Sequence, residues 1–214
     1  MLFGDGSQAA IQAVEAAKLA VRSVDNFNWT FITLLALVVI CGYIPRIRDK
    51  KWDSIAAALA LYGVHWIYEI ANAVICHFTG FALWHVTPES TTFILLIGVC
   101  WELSLMFSIA GFQVELLPED KNMKILGMNN RVFFAIIQAL GFSVFEIFLA
   151  ATPSFVWVYK WWGTIPVWIT VYIPFFLASN LTYDMPREKQ KKFVGILWAL
   201  VAILLIVLIP LGII

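Results

Sequence analysis

Residues 54–78 read SIAAALALYGVHWIYEIANAVICHF, an apolar run that holds a single acidic residue, Glu69, and no Lys or Arg. A hydrocarbon core about 30 Å thick needs about 20 predominantly apolar residues per helix, so this stretch reads as a membrane-spanning helix. Its polar positions are patterned. His65, Glu69, Asn72 and Cys76 recur at spacings of four, three and four, which puts all four on one stripe of the helix. Lipid cannot solvate that stripe, so it must face other helices or a wet cavity.

Working outward, five further segments meet the same criterion: 28–45, 91–115, 131–151, 154–179 and 192–213. Pro45 with Arg46, Arg48, Lys50 and Lys51 ends the first. The runs His85 to Thr92, Glu115 to Arg131, Pro153 and Asn180 to Lys192 separate the others. The expected fold is an all-α, polytopic transmembrane bundle of about six spans over residues 26–214. Residues 1–25 form a separate amphipathic helix lying at the interface, because Ala9, Ile11, Val14, Ala17, Leu19 and Val21 alternate with Gln12, Glu15, Lys18 and Arg22 at helical spacing. Asp5 or Ser7 would cap it. Met1 to Ser7 lacks the basic stretch and apolar run of a cleavable signal.

Composition agrees with a membrane protein: 62% of the 214 residues are hydrophobic and 13% are charged, about half the share usual in soluble domains. Fourteen basic residues balance fourteen acidic ones, so no basic surface points to nucleic acid as a partner. The three cysteines, Cys41, Cys76 and Cys100, lie in apolar runs without metal-ligand spacing. Basic residues cluster after the first, third and fifth spans, whereas the opposite side has only Lys18, Arg22 and Lys160. The positive-inside rule then places both termini on the non-cytoplasmic side. Trp29, Trp52, Trp84, Trp157, Trp161 and Trp162 fall near span ends, as interfacial anchors do.

Ionisable groups at bilayer depth mark functional paths. Besides His65 and Glu69, the third segment carries Glu102 with Gly98 one turn earlier, and the fourth carries Glu146 within the small-residue stripe Ala135, Ala139, Ser143, Ala150. His65 and Glu102 are expected near mid-membrane, with Glu69 and Glu146 in the outer half. The first four spans would enclose them in a cavity open toward that half. Asn72, Trp66, Gln138 and Asn180 are the expected substrate-binding residues, and Pro166 and Pro174 in the fifth span free carbonyls for neighbours or a cavity.

Such a set suits proton transfer to and from an apolar substrate. A carboxyl group donates to an alkene, a His/Glu pair accepts a proton elsewhere, and aromatic faces stabilise a carbocation between the steps. The catalytic candidates are therefore His65, Glu69, Glu102 and Glu146. His65-Trp66-Ile67-Tyr68-Glu69 followed by Glu102 resembles the order of intramembrane His, Glu and Glu in the emopamil-binding-protein family of sterol isomerases. That resemblance implies a small helical protein shifting a double bond, with His65, Glu69 and Glu102 handling protons and Asn180 as a loose counterpart of a later polar residue. Trp66 and Glu69 are equally similar to the Trp-Glu pattern of membrane-bound terpene cyclases, which protonate an isoprenoid. Isomerisation or cyclisation of a sterol-like or isoprenoid lipid, without cofactor, is the expectation. Two alternatives stay open: a noncatalytic or metal-binding subunit of a larger membrane complex, with a divalent metal on His65, Glu69, Glu102 and Glu146, or a proton-coupled carrier.

Overall fold

The computed structural model describes residues 2–4, 6–27, 29–88 and 93–214, with only the backbone at 8 and 11. Among these residues it is a bundle of seven helices closed at one end by short strands. Helix α1 is Gln8–Ala20, α2 is Trp29–Arg48 and α3 is Trp52–Thr79. Strands β1 (Trp84–Val86), β2 (Ile94–Leu96) and β3 (Val99–Cys100) precede α4, which is Trp101–Ala110 continued by a tight 3-10 stretch over Gly111–Leu116. A small hairpin, β4 (Lys124–Ile125) and β5 (Met128–Asn129), leads into α5 (Asn130–Leu149). Strand β6 (Phe155–Trp157) then precedes α6 (Thr164–Tyr183) and α7 (Arg187–Leu208). The pairing β1 with β6 and β2 with β3 is antiparallel.

Helices α2, α3, α5, α6 and α7 are long and apolar enough to cross a membrane. The segment 91–115 differs from the expected single span. Ile94 to Cys100 turn back on themselves as the β2–β3 hairpin, and only Trp101–Leu116 is helical. Ten α-helical residues at 1.5 Å and six 3-10 residues at 2.0 Å still give α4 a length of about 27 Å, close to the height of a hydrocarbon core. It starts beside the strands, where Trp101 stacks on Phe31 at 4.0 Å. It ends at Glu115, whose carboxylate accepts from Arg46 Nε at 2.7 Å and Lys51 Nζ at 3.1 Å. The chain therefore runs the length of the bundle six times, and Arg22 near the start donates to the Ile214 carbonyl at 2.8 Å.

Helix α3 is the hub, packing against α4, α6 and α7. The small residues in its first half explain how. Gly111 lies directly on the Ala57–Ala58 backbone and Gly63 receives Leu197 and Trp198, whose indole N–H donates to the Leu59 carbonyl at 3.0 Å. Such close approach through small side chains is the usual way helices associate in lipid, where burial of apolar surface gives no drive. Gly80, at φ 82°, ends α3 with its N–H on the Cys76 carbonyl. Helices α2 and α7 contribute little to the interior and leave apolar side chains such as Ile40, Ile203 and Ile206 exposed, as lipid-facing helices do.

Ser7 caps α1 by accepting from the Ala10 N–H at 3.1 Å, whereas Asp5, the alternative cap, lies outside the described residues. The apolar face of α1, Val14 and Ala17, packs on Ala73 and Cys76 of α3 and on Val158. Lys18 donates to the Gly80 carbonyl and to Glu15. In α6, Pro174 has no N–H for the carbonyl four residues back, that of Thr170. The Tyr68 hydroxyl supplies the missing hydrogen bond at 2.8 Å, and the wide π turn Trp168–Tyr172 lies just before the proline. Pro166 stands in the first turn, where no donor is needed. Of the tryptophans expected as interfacial anchors, Trp29, Trp52 and Trp161 are exposed. Trp84 and Trp157 are instead buried, because β1 and β6 pair across the end of the bundle and fold their side chains inward, and Trp162 is buried with its ring stacked on Trp84 at 5.8 Å.

Two outcomes follow. Gly111→Leu forces a side chain into the α3 backbone, so thermal unfolding in detergent should show a loss of about 1–3 kcal/mol; an unchanged midpoint would contradict this packing. His85 in β1 is fully buried, and burial holds its pKa below the ordinary value near 6.5. The unfolded chain therefore takes up a proton first, and stability is complete above about pH 6.5 and declines as the pH falls below it. His85→Gln should flatten that part of the stability profile.

Candidate functional site

The polar stripe of α3 meets α5 and α6 at a small cavity. His65 and Glu69 enter it from α3, Met106 and Phe107 from α4, Phe142 and Glu146 from α5, and Tyr172 and Phe175 from α6. Trp84 of β1, Gly98 of the β2–β3 turn and Phe155 and Trp157 of β6 complete its wall toward the strand layer. The first span does not line it and the fifth does, so the enclosure is α3, α4, α5 and α6 rather than the first four spans, and strands cover the end expected to be open.

Two acidic arms face one another here. Glu69 Oε1 lies 3.5 Å from His65 Nε2 and accepts from the Trp84 indole N–H at 3.3 Å. Glu146 Oε1 accepts from the Tyr172 hydroxyl at 2.7 Å. Each carboxyl group thus has one oxygen anchored, while the second oxygens of both and the two ring nitrogens of His65 are buried without a close hydrogen-bond partner. Unsatisfied groups of this kind cost about 1–3 kcal/mol each, so a cluster of them signals a site built to receive a ligand or water. The imidazole of His65 is held flat against Phe107, with ring centroids 4.2 Å apart, and edge-on to Phe175 at 5.9 Å. The cavity measures about 30 Å³ to the centres of water-sized groups. That holds a water, not a ring system.

Several expected residues lie elsewhere. Glu102 sits half-buried in the first turn of α4 and does not line the cavity, because residues 94–100 form the hairpin and the helix starts only at Trp101. Gly98 accordingly makes room for Glu69 rather than Glu102: a Cβ there would collide with Glu69 Oε2, the Asn72 amide and the Trp84 indole nitrogen. Asn72 clamps the chain after α3, donating to the Trp84 carbonyl and accepting from the Leu83 N–H, both at 2.8 Å. Trp66 packs outside the cavity in the cluster of Ile70, Leu96 and Val201. Asn180 donates to Gln138 Oε1 at 3.1 Å and to the Arg131 carbonyl at 3.0 Å, well toward the basic end. Among the described residues no three His, Cys, Asp or Glu side chains gather as a metal-ligand set, so the alternative with His65, Glu69, Glu102 and Glu146 as ligands is not assembled. Sequence reasoning passed over Tyr172 and took Trp84 and Trp157, which line the cavity, for interfacial anchors. Pro174 was a usable signal for Tyr172, since a proline disturbs the turn before it.

A helical bundle with apolar crossings and a buried acidic cavity defines an integral, multi-pass membrane protein. The chain belongs to a family described as "Uncharacterized membrane protein family", whose profile matches residues 11–210. A relative from Archaeoglobus fulgidus described as "Uncharacterized protein" is 41% identical over 202 residues, covering 92% of this chain and 95% of its own. No solved structure is similar. Neither description mentions a sterol isomerase or a terpene cyclase, so that resemblance rests on the quoted residues alone.

Two glycines, one lining the cavity and one on the outside of α5, should respond oppositely. Gly98→Ala must push apart Glu69, Asn72 and Trp84 and should lower the unfolding midpoint by the equivalent of about 1–3 kcal/mol. Gly141→Ala in α5, where nothing lies within 4 Å of the added carbon, should be neutral or stabilise by up to about 1 kcal/mol. Equal effects in a thermal unfolding assay would contradict the described hairpin position.

Proposed function

We propose that the protein is an intramembrane enzyme that moves protons to and from an apolar, isoprenoid-like lipid. The observation that carries this reading is the pair of carboxyl groups, Glu69 with His65 and Glu146 with Tyr172, each anchored through one oxygen and leaving the other unpaired beside an aromatic-walled cavity. One arm can give a proton while the other takes one, and the faces of Phe107, Trp157 and Phe175 can steady a cation formed between the steps. Glu146 takes the role that Glu102 was expected to fill. The basic loops gather at one end, with Arg46 and Lys51 on Glu115 and Arg131 on Asp184. This supports an orientation with that end cytoplasmic and both termini on the other side.

A second reading has the same pair only relaying protons through a bound water, and the small cavity volume favours it. One experiment separates the two. Purified protein is incubated in D2O with a neutral lipid extract, and deuterium fixed at carbon is read by mass spectrometry. Wild-type protein should label a defined lipid, and Glu69→Gln and Glu146→Gln should reduce that rate by about 10²–10⁴-fold while remaining folded. No label from wild-type protein, or equal label from both variants, would overturn the enzyme reading. Proton flux into liposomes that is lost in the same variants would then favour the relay.

A further inference from the structure

Beside the small cavity runs a much larger groove of about 570 Å³ between α4 and α5, and the two share Met106, Phe142 and Phe145 as a common wall. The groove follows the helices from Leu116 and Phe134, at the basic end, to that wall. Phe145 lies eleven positions beyond Phe134 on α5, a path of about 16 Å. Its sides are apolar except for two amides, Gln113 and Gln138, both in the half nearer the basic end. Gln138 uses its oxygen on Asn180, which leaves its NH2 group as a donor for a ligand. The floor is Gly141, where an added Cβ would meet nothing within 4 Å. A mid-helix glycine weakens a helix by about 1 kcal/mol relative to alanine, and what it yields here is depth.

We infer that this groove binds the hydrocarbon chain of a single-chain amphiphile entering sideways from the bilayer, its polar end at Gln113 and Gln138 and its tip against the Met106, Phe142 and Phe145 wall. A lipid is the occupant that these features fit. The groove runs along the crossing helix α5, has its polar groups toward one end only, and ends on the wall that it shares with a buried acidic cavity. The bulk of the ligand stays in the groove, and only the tip reaches the space beside Glu146 when Phe142 turns aside. Phe142 stands 5.7 Å from the Tyr172 ring, whose hydroxyl holds Glu146, so a chain tip that moves Phe142 also loosens that carboxyl group. What happens at the tip rests on the proton-transfer reading; the binding itself does not.

The test uses the full chain in lipid nanodiscs and two photoreactive probes, a long-chain fatty alcohol carrying a diazirine either at its chain end or beside its hydroxyl. Chain-end adducts should fall on Met106, Phe142 or Phe145, and head-proximal adducts on Gln113, Leu116 or Phe134. Gly141→Trp, and independently Ile137→Trp, should reduce both at least tenfold in protein whose unfolding midpoint confirms that it is folded. Adducts spread evenly over α2 and α7, adducts indifferent to both tryptophans, or cross-links joining α5 of two copies would overturn the proposal, the last by making the groove a seam between protomers. Glu69→Gln and Glu146→Gln should leave the adducts in place. Groove adducts combined with undiminished deuterium transfer in those variants would sink the enzyme reading and leave this one standing.

Discussion

The structure turns on the impossibility of leaving the polar stripe of α3 against lipid. His65, Glu69 and Asn72 are each almost completely buried, and each is met by a different part of the chain. Asn72 uses both its amide oxygen and its NH2 group to fasten the backbone after α3, which fixes Leu83 and Trp84 above the end of the helix. Trp84, so fixed, brings its indole N–H to Glu69. The strand layer is in this sense built from the stripe upward: β1 is positioned by Asn72, β6 pairs with β1, and the β2–β3 turn can approach only because Gly98 has no side chain. Removing the stripe would take away the reason for the layer.

The second acidic arm has a separate origin in the irregular backbone of α6. Pro174 leaves the Thr170 carbonyl without its helical partner, Tyr68 of α3 supplies one, and the π turn beside it turns Tyr172 into the cavity toward Glu146. The same tyrosine hydrogen bond ties α6 to the hub helix one turn above His65. Irregular helix at membrane depth is tolerated only where protein satisfies it, and here the satisfying group and the site residue come from adjacent positions. Around both arms, Phe107, Phe142, Tyr172 and Phe175 form a connected set of ring contacts at centroid distances of 5.7–6.0 Å. Rotation of one ring is therefore felt by the carboxyl groups behind it.

Much of this was legible in the chain. The spacing of His65, Glu69 and Asn72 foretold a buried stripe, and the isolated Glu146 in an apolar segment lines the same cavity as His65 and Glu69. Segment 91–115 was not legible, because hydropathy registers apolar residues without regard to whether they extend as strands. Ile94, Leu95, Leu96, Val99 and Cys100 are as compatible with a buried hairpin as with a helix, and a short apolar run does not decide between them. Glu102 was misplaced for that reason alone. The buried tryptophans show a similar limit: Trp84 and Trp157 lie near span ends, as anchors do, and only the pairing of β1 with β6 sends them inward. Asn180 and Gln138 were expected to bind substrate, but they bond to one another rather than to the acidic cluster.

The central claim is that Glu69 and Glu146 share one cavity within the bundle. It is tested most directly by replacing Cys41, Cys76 and Cys100 with alanine, introducing Glu69→Cys and Glu146→Cys together, and treating the protein in membranes with a short bifunctional thiol reagent. The account predicts an intramolecular link between the two positions and protection of both from a bulky water-soluble maleimide. Free labelling of each position by the maleimide, with no link formed, would contradict it.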